Sequence, residues 1–190
     1  MLNERVLNST GKFKGRVFSV EVQSVALADG QMSEREIVRH NGGACVIAVD
    51  ELEQVWLVRQ FRSPFGRVLL EIPAGKLEPG EDPRVCAERE LVEETGLTAE
   101  KITLLAHVYP SPGYCSEEIS IYLATGLKQG KASPDPGEIL HAVRYPFADI
   151  INMIDRGEIH DAKTIIALLK LERLLHSGKK APDYQADEVN

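Results

Sequence analysis

GKLEPGEDPRVCAERELVEETGL, residues 75–97, is the most informative stretch of this chain. Asp82 can cap a helix, and Pro83 suits the first helical position because no amide hydrogen is needed there. Gly96 stands where a residue of left-handed conformation commonly ends a helix. The stretch therefore predicts a loop followed by a short helix that begins at Pro83 and ends before Gly96.

Three glutamates of this helix, Glu90, Glu93 and Glu94, lie on one side of it. With about 100° of rotation per residue, they fall at about 0°, 300° and 40° of the circumference. Like charges placed in this way repel by roughly 0.2–0.5 kcal/mol per pair, and a bound cation would reverse the sign of that energy. Clustered carboxylates suit Mg²⁺ or Mn²⁺, but a charge run is also typical of a solvated helix face. Helix geometry alone leaves these two interpretations level.

The apolar residues of the helix do not form one stripe. Ala87 and Leu91 fall at about 60–100°, whereas Val85 and Val92 fall at about 200–220°. This arrangement predicts a helix packed on two sides, with the acidic arc facing a cleft between them.

Composition predicts one domain, or one domain with a small appendage. The 190 residues are 43% apolar, which is ordinary for a globular protein with a core. The longest apolar run, residues 44–49, is far shorter than a membrane span. Cys45, Cys86 and Cys115 show neither zinc spacing nor a disulfide framework, which favours a reducing cytoplasm.

The net charge of −7 disfavours nucleic acid or an anionic membrane as a partner, because both require a basic face. The same charge would repel a phosphate substrate. Bound divalent cations and a few local arginines would have to offset that repulsion.

The hydrophobic pattern predicts an α+β fold, with mixed strands around a central helix and helices at the end. The predicted strands cover residues 16–27, 33–40, 44–49, 54–61, 68–72, 101–108, 119–125 and 140–145, and the later helices cover 148–156 and 161–176. We expect residues 1–42 to form an N-terminal β segment, residues 43–178 to form the main domain, and residues 179–190 to be a disordered tail.

The spacing G-x5-E-x7-R-E-U-x-E-E-x-G-U, in which U is aliphatic, resembles the full box of the Nudix hydrolases. Its specified positions are filled by Gly75, Glu81, Arg89, Glu90, Leu91, Glu93, Glu94, Gly96 and Leu97. Members of that family cleave a nucleoside diphosphate linked to another group, with divalent metal held mainly by the helix glutamates. The resemblance implies the Nudix α/β/α sandwich, a mixed sheet between helices, with a small antiparallel N-terminal segment.

Other motifs are similar to the ADP-ribose pyrophosphatase branch of this family. They are residues 30–33, 35–38, 59–62, 67–75, 111–113 and 161–164. Pro112, sixteen residues after Gly96, resembles the downstream proline that marks ADP-ribose specificity. In that branch the N-terminal strands cross to a partner subunit, which implies a homodimer with shared sites, and the reaction yields AMP and ribose 5-phosphate.

The resemblance also implies roles for the acidic residues. The Ala74 carbonyl, Glu90 and Glu94 would bind the metal, and Glu93 would hold a second metal or orient water. For the catalytic base the first choice is Glu138, in the loop of residues 133–138, and the second is Asp135. The alternative is that this loop is an ordinary exposed Pro/Gly segment.

Substrate contacts are implied in the same way. Arg62 resembles the arginine that binds the diphosphate, while Arg35 and Glu36 would contact the adenine edge. Phe18 would stack on the base from the partner's N-terminal segment, unless it is simply a core residue. Glu117 would contact the terminal ribose or help to close the site. A broader nucleoside-diphosphate-sugar hydrolase and a non-catalytic ADP-ribose sensor are the competing functions.

Overall fold

The computed structural model describes residues 3–134 and 137–177. Ten strands and three α-helices follow each other within these ranges. They are β1 (Glu4–Lys14), β2 (Phe18–Leu27), β3 (Met32–His40), β4 (Gly43–Val49), β5 (Gln54–Arg62), β6 (Arg67–Glu71), β7 (Ala74–Lys76), α1 (Pro83–Thr95), β8 (Leu97–Val108), β9 (Ile119–Gln129), β10 (Leu140–Pro146), α2 (Phe147–Asp155) and α3 (Ala162–Ser177). No helix of the described ranges combines the length and the apolar character that crossing a membrane requires.

The described residues form two compact units. The first contains residues 3–42 together with Tyr109–Glu118, and the second contains Gly43–Val108 together with residues 119–134 and 137–177. The predicted tail, residues 179–190, lies outside the described residues.

The first unit is a three-stranded antiparallel sheet with the order β1-β2-β3. The sequence did not predict β1. Its pairing with β2 shifts register between Val6 and Asn8 and again between Gly11 and Phe13, so the chain carries two bulges. Because each bulge reverses the side-chain alternation, the strand lacks the period of two that reveals strands in a sequence.

The second unit is built on a seven-stranded sheet with the central order β10-β5-β4-β9-β8, in which β6 pairs with β5 and β7 with β4. Strands β4 and β9 are parallel, and the other pairs are antiparallel. The prediction of a mixed sheet in an α+β fold is therefore confirmed.

Helices cover both faces of this sheet. On β4, Cys45 and Ile47 belong to the core that contains residues of α2 and α3, such as Ile150 and Leu168. The alternate β4 residues belong to a second core that contains Leu91 of α1. A strand buried on both faces reads as a continuous apolar run, which explains why residues 44–49 were recognisable.

Helix α1 begins and ends as predicted. The Asp82 side chain accepts hydrogen bonds from the backbone N–H groups of Arg84 and Val85, at 2.8 and 3.4 Å, and Gly96 adopts φ 74°. The prediction that α1 packs on two sides is wrong, because Val85 is 53% exposed. The buried residues instead form one arc, made of Cys86, Ala87, Glu90, Leu91, Glu94 and Thr95.

Candidate active site

The acidic residues of α1 lie within its buried face. On the helix circumference, Glu94 falls between Ala87 and Leu91 on one side and Glu90 on the other, close to the centre of the buried arc. Glu94 is only 3% exposed, and Glu90 is also buried. The solvated-face interpretation is therefore wrong for these two glutamates, whereas Glu93 is half-buried.

Gly75, the first residue of the box, makes room for Glu90. A Cβ atom at position 75 would lie 1.6 Å from Oε1 of Glu90. A Cβ at this distance would displace the Glu90 side chain, so the glycine allows the close approach of the glutamate to the β7 backbone. This contact places the Glu90 carboxylate against the loop that precedes α1.

Glu94 receives its hydrogen bond from the same loop. The backbone N–H of Ala74 donates to Oε2 of Glu94 at 3.1 Å. Burial raises the pKa of Glu94 to about 8, the Ala74 N–H offsets part of that rise, and the charges of Glu90 and Glu138 add to it. Burial also raises the pKa of Glu90. Removal from water is therefore the main reason that both carboxylates have pKa values above the ordinary value.

Arg89 is the cation nearest to these acids. It donates to Glu81 from Nε at 3.0 Å and from Nη2 at 3.2 Å, and Nη1 donates to Glu90 at 2.6 Å and to Glu93 at 3.0 Å. Glu81 in turn accepts from the backbone N–H of Glu78 at 2.9 Å, which fixes the loop before α1. Hydrogen bonding to Glu81 is the main reason that the pKa of Arg89 is raised.

The donor set suits a hard divalent cation. Two buried carboxylates with raised pKa values stand beside one loop, and such oxygens are the ligands that Mg²⁺ and Mn²⁺ prefer. Across residues 3–134 and 137–177, no group of three or more His, Cys, Asp or Glu side chains is placed to hold a metal ion by itself. A site of this kind would complete its ligands with backbone carbonyls, water or substrate phosphate oxygens.

The loop that carries Glu138 is joined to the end of α1. The Gly130 N–H donates to the Gly96 carbonyl at 2.8 Å, and the Ser133 N–H donates to the Glu93 carbonyl at 2.9 Å. Glu138 is exposed, and its charge contributes to the raised pKa values of Glu90 and Glu94. Asp135, the second choice for the base, lies outside the described residues.

Arg62 takes part in a network of buried charges. Glu71 is 2% exposed and accepts two hydrogen bonds from Arg62, each at 2.7 Å. Lys163 Nζ donates to Glu71 at 2.5 Å and to Asp161 at 2.9 Å. Burial alone would raise the pKa of Glu71, but the hydrogen bonds from Arg62 and the charge of Lys163 hold it at about 2. Arg62 also lowers the pKa of Glu94, so the network and the acidic helix are electrostatically coupled.

The sequence analysis included Glu71, Asp161 and Lys163 in motifs similar to the ADP-ribose pyrophosphatase branch but gave none of them an individual role. Glu71 ends the apolar strand segment VLLE, and a charged residue there is a signal that could have been used. Ionisable side chains inside apolar segments are rarely buried without a partner.

The remaining predicted substrate residues all belong to the first unit. Arg35 forms an ion pair with Glu4 of β1, and its Nη1 also donates to Ser33 at 2.8 Å. The ring of Phe18 is 5.6 Å from that of Phe13, centroid to centroid. Phe18 is 42% exposed, so the interpretation of Phe18 as a core residue is wrong within the unit as described.

Two acidic residues of the first unit complete the predicted set. Glu36 lies in β3 opposite Val22 of β2, and it is exposed. A carboxylate oxygen of Glu117 lies 3.6 Å from Nδ1 of His40, which also accepts a hydrogen bond from the Gly42 N–H at 3.0 Å. Arg62, Ala74 and the acids of α1, by contrast, belong to the second unit.

Several known proteins are similar to this chain in both sequence and fold. A model of the NUDIX domain matches residues 39–168. The ADP-ribose pyrophosphatase of Bacillus subtilis (strain 168) is 38% identical over 182 residues, which cover 94% of this chain and 98% of that protein. The methanol dehydrogenase activator of Bacillus methanolicus is 40% identical over 174 residues, with 90% and 94% covered.

A solved structure agrees with these sequence matches. The crystal structure of an ADP compounds hydrolase superposes with a TM-score of 0.82 at 26% identity, and the alignment covers 94% of this chain and 97% of that one. The domain match spans more than half of the 190 residues, and it includes the glycine, arginine and glutamates whose contacts shape the acidic face of α1. This chain therefore belongs to the Nudix family of hydrolases.

Proposed function

We propose that the chain hydrolyses the diphosphate bond of ADP-ribose to AMP and ribose 5-phosphate, with Mg²⁺ or Mn²⁺ as the metal. The observation that carries this proposal is the pair of buried carboxylates, Glu90 and Glu94, beside the Ala74 loop. The names of the similar proteins, an ADP-ribose pyrophosphatase and an ADP compounds hydrolase, support the choice of substrate.

Ala74, through its backbone carbonyl, and the side chains of Glu90 and Glu94 would hold the metal. When bound, the divalent ion supplies the positive charge that a diphosphate requires in this acidic chain. Arg89 already neutralises part of Glu90 and Glu93 through its hydrogen bonds. It would keep the glutamates oriented while its contacts with Glu81 hold the loop.

Glu138 is our choice for the base that takes a proton from the attacking water. Its side chain is exposed, and its loop is hydrogen-bonded to the end of α1 through Ser133. The charge of Glu138 also raises the pKa values of Glu90 and Glu94. Glu93 would orient the water or hold a second metal, and Asp135 is the alternative base. Water adds its oxygen to one phosphorus, and the bond from the bridging oxygen to that phosphorus breaks.

Arg62 would bind the diphosphate, because its side chain is 37% exposed and a guanidinium matches phosphate oxygens in pairs. Arg35 and Glu36 would contact adenine, Phe18 would stack on it, and Glu117 would contact the terminal ribose.

We propose that the chain acts as a homodimer in which the first unit contributes to a site shared with a second copy. Every residue of β1 is exposed. Apolar side chains exposed in this unit would be covered by the partner, namely Val6, Leu7, Phe13, Val17, Phe18 and Met32. A single species of monomer mass in sedimentation at micromolar concentration would contradict the dimer. The free thiols of Cys45, Cys86 and Cys115 are consistent with a cytoplasmic location.

A broader nucleoside-diphosphate-sugar hydrolase is the second candidate. Arg35 is engaged by Glu4, so this adenine contact is not free in the described chain. A purely sensory role is disfavoured because every specified residue of the box is in place.

Purified protein assayed with ADP-ribose, GDP-mannose and UDP-glucose separates these functions. We expect Mg²⁺-dependent or Mn²⁺-dependent release of AMP from ADP-ribose to be fastest, with none in EDTA. Glu94→Gln is the inactive control. Equal rates on all three substrates would favour the broader hydrolase, and no hydrolysis of any of them would refute the catalytic proposal.

A further inference from the structure

Glu71 is a buried carboxylate shared by two cationic side chains. Arg62 donates from Nε to Oε1 and from Nη2 to Oε2, each at 2.7 Å. Lys163 Nζ donates to the same Oε2 at 2.5 Å. Because Glu71 is almost fully removed from water, these two cations balance its charge, and one of them would be sufficient to keep it paired.

The two cations differ in how firmly they are held. Lys163 also donates to Oδ1 of Asp161 at 2.9 Å. The other Asp161 oxygen accepts from the backbone N–H and the hydroxyl of Thr164, at 3.0 and 2.5 Å, and the Thr164 hydroxyl oxygen accepts from the Ile72 N–H at 2.9 Å. Lys163 is therefore fixed by the first turn of α3 and by the backbone next to Glu71.

Arg62 is held less firmly than Lys163 and is more exposed to solvent. It is the last residue of β5, its only side-chain hydrogen bonds within the described residues are those to Glu71, and its side chain is 37% exposed. The Lys163 side chain is 12% exposed. Arg62 is thus the member of the network that has access to a ligand in solvent.

We propose that Lys163 is a positioning residue, which keeps Glu71 paired so that Arg62 can turn away and bind the substrate diphosphate. Without Lys163, the departure of Arg62 would leave a buried carboxylate with no cation, which is a strongly unfavourable state. With Lys163 in place, Glu71 retains a charge-assisted hydrogen bond while the guanidinium binds phosphate oxygens. This inference rests on the proposed function, since it takes Arg62 as the diphosphate ligand.

The first test measures binding without turnover. Lys163→Met should raise the Kd of inorganic pyrophosphate, titrated calorimetrically in Mg²⁺ buffer, about tenfold, which is the size of one hydrogen bond to a charged group. The KM for ADP-ribose should rise by a similar factor while kcat stays within a factor of about two. Lys163→Arg should bind as the wild type does, and so should the control Lys128→Met, which removes an exposed ion pair with Glu100.

The double variant Glu71→Gln/Lys163→Met separates positioning from simple structural support. A neutral glutamine does not retain Arg62 by charge, so pyrophosphate affinity should recover most of the loss seen in Lys163→Met. If Lys163 merely supported the local structure, a second change in the same network would weaken binding further. A double variant that binds no better than Lys163→Met, or a Lys163→Met protein that binds like the wild type, overturns the proposal.

If Lys163→Met does not fold, the comparison moves to the Glu71→Gln background. There the Lys163→Met change should leave the pyrophosphate Kd the same, and an increase of about tenfold would overturn the proposal. Failure of the proposed function has a different signature. It would appear as a wild-type protein that binds pyrophosphate with the expected Lys163 dependence but does not hydrolyse ADP-ribose.

Discussion

Glu94→Gln should make the metal-free protein more stable while it abolishes activity. Glu94 lies at the centre of the buried face of α1, and burial raises its pKa to about 8. Its one hydrogen bond among the described residues comes from the Ala74 N–H, and the side-chain carbonyl of a glutamine can accept that bond equally well. The substitution therefore removes the ionisable group while it preserves shape and hydrogen bonding.

The size of the effect follows from linkage between protonation and folding. The unfolded chain releases the Glu94 proton near pH 4.5 and the folded chain near pH 8, so the folded state loses stability as pH rises through this window. Each pH unit above 4.5 lowers the free energy of unfolding by about 1.36 kcal/mol, so the loss at pH 7 is about 3 kcal/mol. Above pH 8 the loss reaches an upper bound of about 5 kcal/mol. Glu94→Gln should recover this free energy of unfolding, which corresponds to a rise in Tm of about 6–12 °C at pH 7.

Thermal unfolding in EDTA between pH 5 and pH 8.5 measures the difference. The gap in Tm between Glu94→Gln and wild type should widen as pH rises, and Mg²⁺ should raise the Tm of the wild type more than that of the variant. Glu88→Gln is the matched control, because Glu88 lies on the same helix in an exposed pair with Arg84 and should change stability by less than about 0.5 kcal/mol. The reasoning is refuted if Glu94→Gln is no more stable than wild type at pH 8, or if the gap does not depend on pH.

Three further substitutions test other parts of the site. Glu71→Gln should lower the free energy of unfolding at pH 7 by about 3 kcal/mol, because the low pKa of Glu71 stabilises the fold only where the carboxylate is ionised. In thermal melts this difference from the wild type should vanish as pH falls from about 4.5 to 2. Gly75→Ala should lower kcat/KM at least about a hundredfold by displacing Glu90. Gly11→Ala, where a Cβ meets nothing within 4 Å, is the control and should leave kcat/KM unchanged. Glu138→Gln should reduce kcat by about 10²–10⁴-fold with little change in KM, as measured by release of AMP from ADP-ribose. An unchanged kcat would show that another residue is the base.

The sequence was most informative where local rules and tertiary structure agree. Asp82 and Gly96 mark the two ends of α1 through caps that act within a few residues. Residues 44–49 are recognisable because a strand buried on both faces is apolar throughout. These features need no knowledge of distant contacts. Strand β1 shows the opposite case, since two bulges erase the alternation on which strand prediction depends.

The prediction for the packing of α1 was wrong for an instructive reason. Counting only apolar residues assigned Val85 to a buried side and the glutamates to an open arc, whereas Glu90 and Glu94 occupy the buried face. Buried carboxylates break the hydrophobic pattern, and sites of function are where such breaks are expected. Hydrogen bonds such as that from Lys163 to Glu71 join residues 92 positions apart, so no local pattern could reveal them.

Two of the three buried glutamates of the described chain, Glu71 and Glu94, have opposite effects on stability, and this gives the metal-free protein a characteristic dependence on pH. Ionisation of Glu71 stabilises the fold as pH rises from about 2 to 4.5, because Arg62 and Lys163 favour its charge. Ionisation of Glu94 is opposed by burial, so between pH 4.5 and 8 the fold loses a comparable amount, about 3 kcal/mol by pH 7. The combined contribution of the pair is therefore greatest near pH 4.5. A divalent ion at Glu94 would remove the second effect alone, so adding Mg²⁺ should shift the pH of greatest stability upward, whereas a monovalent salt at equal ionic strength should not.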